Sequence, residues 1–278
     1  MIIGVTGSTG AVGGLVARSL AGSDFRLDLR LLVRDPARAP DIDCDVRVCE
    51  YADEEASVAA LRGVEVLFMV SASEARDRRE QHRTFIRSAA RAGVRHLVYT
   101  SFAGAGPDAT FTLGRDHHDA EDAIRESGMT WTFLRDNFYL DLLPLFADED
   151  GVLRGPAGQG RVAGVARADV ADVAVEVLRS PDEHADAAYT LTGPEALTLD
   201  EVATRAGAVL GRTLRFEDES VEQAYAWRRE AYGAEDWQLD AWVSTYTAIA
   251  GGTVAEVTDD VRRVTGRAPR TLEQALTP

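Results

Sequence analysis

Three glycines at strict three-residue spacing, Gly7, Gly10 and Gly13, are the first residues whose types and spacing point to chemistry. They follow Ile2, Ile3 and Val5, a short apolar run of the kind a fully buried parallel strand needs. Val12, Leu15, Val16 and Leu20 then recur at helical spacing. Strand, tight glycine turn and helix start are the parts of a dinucleotide site. Glycines let the backbone approach a pyrophosphate, whose charge the helix N-terminus favours. Gly7, Thr9, Gly10, Ala11, Val12 and Gly13 are therefore the expected pyrophosphate contacts. The plainer alternative is a glycine-rich turn that packs a helix closely on a sheet.

Specificity for the adenosine ribose is decided just after the second strand. There the chain reads Leu32-Val33-Arg34, and an arginine can pair with a 2′-phosphate through charge-assisted hydrogen bonds. Arg38 lies one helical turn on; Asp35 argues the other way, but Pro36 marks a turn or helix start there. The expected cofactor is NADP(H), with an ordinary exposed loop charge as the alternative for Arg34. Ser71 and Ser73 follow the fourth strand, either lining the nucleotide crevice or capping a helix before Glu74. Thr100 and Ser101 end the fifth strand, at the level where nicotinamide chemistry would occur.

The proton chemistry is constrained by an absence. The sequence contains no lysine, and all 30 residues counted as Lys or Arg are arginine. A lysine base, a Schiff base and a lysine-lowered tyrosine pKa are excluded, and with them the usual Tyr-x-x-x-Lys alcohol-dehydrogenase mechanism. Tyr225-Ala-Trp-Arg-Arg229 has a related spacing but lies far beyond the fifth strand. The helix after that strand carries Asp116-His-His-Asp119. His117 shares the apolar face of Ala120 and Ile124, so it is the histidine aimed at the crevice; His118 shares a face with Asp122 and Arg125. A neutral or protonated His117 could orient a carbonyl or deliver a proton, against the alternative of a helix-start histidine bonded to backbone. Adjacent helical residues diverge, so no metal site is expected there. Hydride transfer itself needs no protein base if ring and acceptor stack in a dry pocket. Phe138 and Tyr139 could form that flat wall, or simply pack.

These residues must be positioned by an α/β architecture. Apolar segments at 27–33, 45–51, 64–70, 95–101 and 130–135 alternate with helical patterns at 54–61, 78–92 and 115–126, predicting a doubly wound Rossmann-type parallel sheet. Beyond Asn137 the alternation fails. Residues 138–146 read as an aromatic, leucine-rich helix, 151–160 as a glycine-rich loop, 170–178 as a helix and 188–192 as a strand returning to the sheet. From Thr198 the pattern is mainly helical, with Trp227, Trp237 and Trp242 gathered there. The expected division is a cofactor domain of residues 1–137 plus about 164–192. About 138–163 plus 193–278 form a smaller, mainly helical domain expected to cap the nucleotide.

With 278 residues, 45% hydrophobic, the chain can bury such a core. Its net charge of -16 and lack of any basic run argue against nucleic acid and anionic membranes. Arg76, Arg78 and Arg79 form the densest basic group, but Glu74, Asp77 and Glu80 interrupt it, which reads as a solvated helix start. No apolar run reaches transmembrane length and no signal-peptide pattern precedes the first strand, so a cytoplasmic location is expected. Cys44 and Cys49 sit at odd separation on one predicted strand, which turns them apart and argues against a mutual disulfide.

Further motifs occur in order along the chain. They are Thr6-Gly-Ser-Thr-Gly-Ala-Val-Gly13, Leu32-Val-Arg-Asp-Pro36, Val70-Ser-Ala-Ser-Glu74, Tyr99-Thr-Ser101 and His117-x-x-x-Glu121. Ser127-Gly-Met-Thr-Trp-Thr-Phe-Leu-Arg135, Leu191-Thr-Gly-Pro-Glu195 and Thr258-Asp-Asp-Val261 follow. Together the chain resembles the NmrA-like atypical short-chain dehydrogenases, and most closely their NADPH-dependent quinone oxidoreductase (azoreductase-like) branch. The resemblance implies an NADP-binding Rossmann domain, a smaller C-terminal domain, and His117 where the classical lysine would stand. It implies a small quinone-like acceptor as partner and leaves a homodimer open. The branch often carries Asn-Gly-Trp-Tyr after its Leu-Arg pair, where this chain has Asp136-Asn-Phe-Tyr139. Because the family also includes NADP-sensing regulators, an NADP(H) sensor acting through a protein partner stands as the alternative to a reductase. An isoflavone-reductase-like enzyme is expected to use a lysine, which this chain lacks.

Overall fold

A computed structural model of the chain describes residues 1–22 and 28–277. The first half runs β1 (Ile2–Thr6), α1 (Ala11–Ala21), β2 (Asp28–Val33), β3 (Asp45–Val48), α2 (Glu54–Leu61), β4 (Val66–Met69), α3 (Arg78–Ala92), β5 (His96–Phe102), α4 (Thr112–Glu126) and β6 (Thr130–Asp136). There follow β7 (Val152–Gly155), β8 (Arg161–Val162), α5 (Arg167–Arg179), β9 (Ala187–Leu191), β10 (Leu197–Thr198), α6 (Leu199–Leu210) and β11 (Arg215–Asp218). Four helices end the chain: α7 (Val221–Tyr232), α8 (Asp236–Ala250), α9 (Asp260–Thr265) and α10 (Leu272–Leu276).

Seven strands form one sheet in the order β3-β2-β1-β4-β5-β6-β9. From β3 through β5 the pairing is parallel, with Val5 opposite both Leu31 and Phe68. The strand order reverses beside β1, and in such sheets ligands bind at that reversal, beyond the carboxyl ends of the strands. The continuous apolar run of β4, buried along its length, is what a central parallel strand requires. This is the doubly wound α/β fold expected from the alternation of patterns.

The chain divides into two compact units. Unit 1 comprises Met1–Ser101, Asp116–Arg135 and Val170–Tyr189; unit 2 comprises Phe102–Arg115, Asp136–Asp169 and Thr190–Pro278. In unit 1, Leu67, Met69, Leu97 and Tyr99 from the sheet pack with Phe85 and Ile86 of α3 and Ala120 and Ile124 of α4. In unit 2, Leu140, Val162, Leu197, Val202, Ala206, Tyr246, Ile249 and Leu272 form a core. A capping box at Thr198 and Glu201 starts α6.

Some local expectations fail for identifiable reasons. Residues 138–146 are not an α-helix. Leu140 donates its N–H to Val165 O at 2.9 Å and Val165 donates to Phe138 O at 2.9 Å, tying the segment to a neighbouring strand-like stretch. Pro144 has no N–H to continue a helix, and only a 3₁₀ turn, Leu143–Phe146, forms. Residues 151–160 are not simply loop, since β7 pairs in parallel with β11. The third strand stops at Val48, short of Tyr51. Leu27, read as the first residue of the second strand, lies outside the described residues. Among the described residues, no helix is long and apolar enough to cross a membrane.

Candidate cofactor and substrate site

The glycine loop begins where β1 ends. Gly7 adopts a left-handed φ of +62°, and a Cβ there would stand 2.8 Å from Val70 Cβ. At Gly13, inside α1, a Cβ would lie 2.4 Å from Gly7 O, so only glycine lets helix and loop approach this closely. Gly10 is the N-cap of α1 and brings no capping side chain, which leaves helix-start donors available to a ligand. Ser8, in the same loop, has a buried hydroxyl without a partner among the described residues. A close backbone cradle, an uncapped helix start and an orphaned hydroxyl fit a pyrophosphate.

A cleft of about 280 Å³ opens beside this loop, at the carboxyl ends of β1, β2, β3 and β4. Gly7, Thr9, Arg34, Ser71 and Ser73 all line it, together with Glu50, Tyr51, Glu74 and Gln81. Arg34 is exposed at its edge. Asp35 is occupied differently: its carboxylate accepts the Ala37 N–H at 3.0 Å and caps the 3₁₀ turn Pro36–Arg38. Ser71 and Ser73 have no adjacent helix to cap, because α3 starts at Arg78. Gly10, Ala11, Val12 and Gly13 form the loop's end and the first turn of α1.

Side chains hold the cleft wall after β4 almost group by group. Val70 N–H donates to Thr6 Oγ1 at 2.9 Å, and Val70 O accepts from Tyr51 Oη at 2.6 Å. Ser71 N–H donates to Thr100 Oγ1 at 2.8 Å. Ala72 N–H donates to His82 Nε2 at 2.9 Å, and Ala72 O accepts from Arg78 Nε at 2.9 Å. Because His82 Nε2 accepts a backbone proton, Nδ1 carries the imidazole proton. Burial, helped by the Arg78 charge, keeps His82 neutral by pushing its pKa well down. Arg78 corrects the sequence reading. It is 3% exposed, not part of a solvated helix start, because its guanidinium also reaches Asp116 and His117.

His117 does pack with Ala120 and Ile124 on the buried face of α4. Its Nδ1 lies 3.0 Å from Tyr99 Oη and its Nε2 3.2 Å from Arg78 Nη2. An arginine can only donate, so Nε2 accepts and Nδ1 bears the proton. Burial first, then the Arg78 charge, push its pKa well below the ordinary value. His118 points elsewhere and pairs with Asp122 at 3.3 Å. Ser101 donates to Glu121 Oε1 at 2.6 Å, and Arg135 and Arg125 also donate to that fully buried carboxylate. Burial raises the Glu121 pKa, but the Arg135 and Ser101 hydrogen bonds and the neighbouring arginine charges more than offset it and hold it low.

Phe138 and Tyr139 belong to unit 2. Phe138 packs among Phe102 and Phe111, with centroids 5.0 and 5.1 Å away. Asn137, where the related branch often has glycine, fixes this turn. Its Nδ2 donates to Val254 O and its Oδ1 accepts the Phe138 N–H. Tyr139 Oη donates to Asp136 Oδ2 at 2.9 Å. Tyr51, Arg78, His82, Glu121 and Asp136 are the residues that sequence reasoning did not assign to the site. Of these, Glu121 stood four residues after His117 in a quoted motif and Asp136 opened the quoted Asp136-Asn-Phe-Tyr139 stretch.

Comparisons with known proteins bear on the family and the fold. Residues 7–181 match the model of a family described as NAD(P)H-binding. The chain is 33% identical to the NAD(P)H azoreductase of Xenophilus azovorans, over 97% of this chain and 95% of that one. It is 36% identical to a (4-alkanoyl-5-oxo-2,5-dihydrofuran-3-yl)methyl phosphate reductase of Streptomyces griseus, over 96% and 93% of the two chains. The crystal structure of the Escherichia coli NADPH-dependent quinone oxidoreductase QOR2 with NADPH superposes with a TM-score of 0.88. That match has 31% identity and covers 99% of this chain and 98% of the other. The glycine loop, the cleft beside it and these matches along nearly the whole chain place the protein in the NAD(P)H-binding family.

Proposed function

We infer that the protein is an NADPH-dependent reductase delivering a hydride to quinones or similar flat, electrophilic small molecules. The observation that carries this reading is the cleft, where the glycine cradle lies beside an exposed Arg34 and Asp35 is held at its own cap. The relatives' names support it, since azo, quinone and conjugated furanone groups are all flat hydride acceptors.

In this reading, Gly7 through Gly13 hold the pyrophosphate, Arg34 the 2′-phosphate, and Ser71 and Ser73 the intervening wall. When bound, the reduced nicotinamide supplies the hydride. Thr6, Tyr51, Thr100, His82 and Arg78 fix the backbone of residues 70–72 in advance, so little ordering remains for binding. His117 is a neutral positioning residue that steadies Arg78 from behind that wall. Thr100 and Ser101 mark the nicotinamide level, with Ser101 oriented by Glu121. Phe138 and Tyr139 receive the acceptor. A cytoplasmic location fits the free thiols of Cys44 and Cys49.

Purified protein with NADPH and a quinone tests this directly. Quinone-dependent loss of nicotinamide absorbance, faster with NADPH than with NADH, is expected; none at saturating acceptor rejects it. The engagement of both His117 nitrogens favours, as a second reading, an NADP(H) sensor with a protein partner. Equal, tight binding of oxidised and reduced cofactor without turnover would select that reading.

A further inference from the structure

We propose that Tyr139 and Asp136 form a proton-donating pair for the acceptor, Tyr139 delivering the proton and Asp136 replacing it. The proposal rests on the reading that the acceptor binds at Phe138 and Tyr139.

Asp136 is the last residue of β6 and is 3% exposed. Its Oδ2 accepts one hydrogen bond, from Tyr139 Oη at 2.9 Å, and its Oδ1 has no partner among the described residues. Glu121 shows what a buried carboxylate needs to remain ionised: one serine and two arginines donate to it. With a single phenol donor and no such charges, Asp136 is more stable as the neutral acid. Burial accordingly pushes its pKa well above the ordinary carboxylate value, outweighing the opposing effect of the Tyr139 hydrogen bond. Tyr139 is likewise raised, by burial and by Asp136. The other charges near Tyr139 are Arg167 of α5 and Asp141, which bind each other at 2.5 Å and act on it in opposite senses.

The placement suits a relay. Asp136 is held by its backbone, whose carbonyl accepts the Ala103 N–H at 2.8 Å, and the next residue donates to Leu191 O at 3.1 Å. Tyr139 is the less buried partner. Reduction of a quinone to a hydroquinone takes one hydride and one proton. The hydride comes from the reduced nicotinamide dinucleotide. The Tyr139 O–H, which donates to Asp136 Oδ2 in the free protein, turns to the acceptor oxygen, and its O–H bond breaks as an O–H bond forms there. The Asp136 acid then returns a proton to the Tyr139 oxygen, and water reprotonates the carboxylate. A cationic triarylmethane dye takes a hydride at its central carbon and becomes neutral without any proton.

That difference supplies the test. The cofactor-loaded protein and its Asp136→Asn and Tyr139→Phe variants are assayed with a para-quinone and with a cationic triarylmethane dye. The ratio of quinone to dye turnover is expected to fall about 100-fold in each variant, the range of general-acid catalysis. An unchanged ratio overturns the pair. Infrared spectroscopy of the protein alone is expected to show a protonated carboxylic acid at neutral pH that disappears in Asp136→Asn; no such band also overturns it. If the wild type reduces neither acceptor, the reductase reading fails, while the infrared result still decides the state of Asp136.

Discussion

His117 and Asp136 are both buried titratable side chains, and they illustrate opposite ways of building a site. His117, in unit 1, has a partner at each ring nitrogen and belongs to a network that reaches the cleft wall through Arg78 and Ala72. Asp136, in unit 2, has one partner for two oxygens. A fully partnered group locks geometry and resists changing its protonation. A half-partnered one keeps little beyond a displaced pKa, which is what proton exchange needs.

The largest expected effect comes from breaking the locked side. Arg78→Met removes the donor to Ala72 O, the neighbour of His117 and the partner of Asp116. Unfolding in denaturant should show a loss of about 3–5 kcal/mol, the cost of removing one partner from a buried pair. Asp136→Asn should be neutral or stabilising at pH 8, because it removes a carboxyl whose ionisation burial opposes. If Asp136→Asn is as damaging as Arg78→Met, the contrast collapses.

A second test uses pH. His96, buried in β5 with Nε2 2.8 Å from Thr132 Oγ1, has its pKa pushed from 6.5 to about 4 by burial and the Arg95 charge. Between those values the unfolded chain binds more protons, so stability falls as pH drops from about 6.5 towards 4. A shift of this size corresponds to about 3 kcal/mol. His117 and His82 add in the same direction. Asp136 has the opposite sign: its raised pKa makes the folded chain bind more protons above the ordinary carboxylate value, so stability is lost as pH rises. Unfolding measured across pH should therefore show a shallower acid limb in His96→Gln, with His82 and His117 still contributing, and a weaker alkaline limb in Asp136→Asn.

Smaller effects sharpen the comparison within unit 1. Arg34 is exposed, so Arg34→Ala should leave the melting temperature nearly unchanged while reducing the NADPH-over-NADH affinity ratio. A loss of about 10- to 100-fold is expected for charge-assisted hydrogen bonds, measured by titrating both cofactors. An unchanged ratio would remove Arg34 from the phosphate site. Thr100→Val leaves the Ser71 N–H without its acceptor and should cost about 1 kcal/mol, with Thr100→Ser restoring it.

Much of unit 1 was legible because its signals are local. The glycine spacing, the apolar strands and Arg34 after β2 are each set by a few consecutive residues, and five of the expected cofactor residues line one cleft. Asp35 and Pro36 were readable for the same reason, since a cap involves near neighbours. Arg78 was misread because its surroundings in sequence are charged, whereas its partners come from two other stretches, Ala72 after β4 and the adjacent Asp116 and His117 of α4. In unit 2 the aromatic, leucine-rich run 138–146 passed for a helix, because periodicity does not register Val165 as a competing backbone partner.

By itself, the sequence determined the dinucleotide loop, the strand–helix alternation of the doubly wound sheet that serves it, and the loss of every lysine-dependent mechanism. Those follow from residue types and short spacings. Tertiary structure alone decided which way burial and partners move each buried group's pKa. His117, Glu121 and Asp136 are each buried, yet the His117 pKa is pushed down, the Glu121 pKa is held low and the Asp136 pKa is pushed up. What separates them is the number and charge of donors brought from elsewhere in the chain: one arginine facing an imidazole nitrogen, two arginines and a serine on a carboxylate, or a single tyrosine hydroxyl. A charge in a low-dielectric interior survives only where the fold supplies its counterparts.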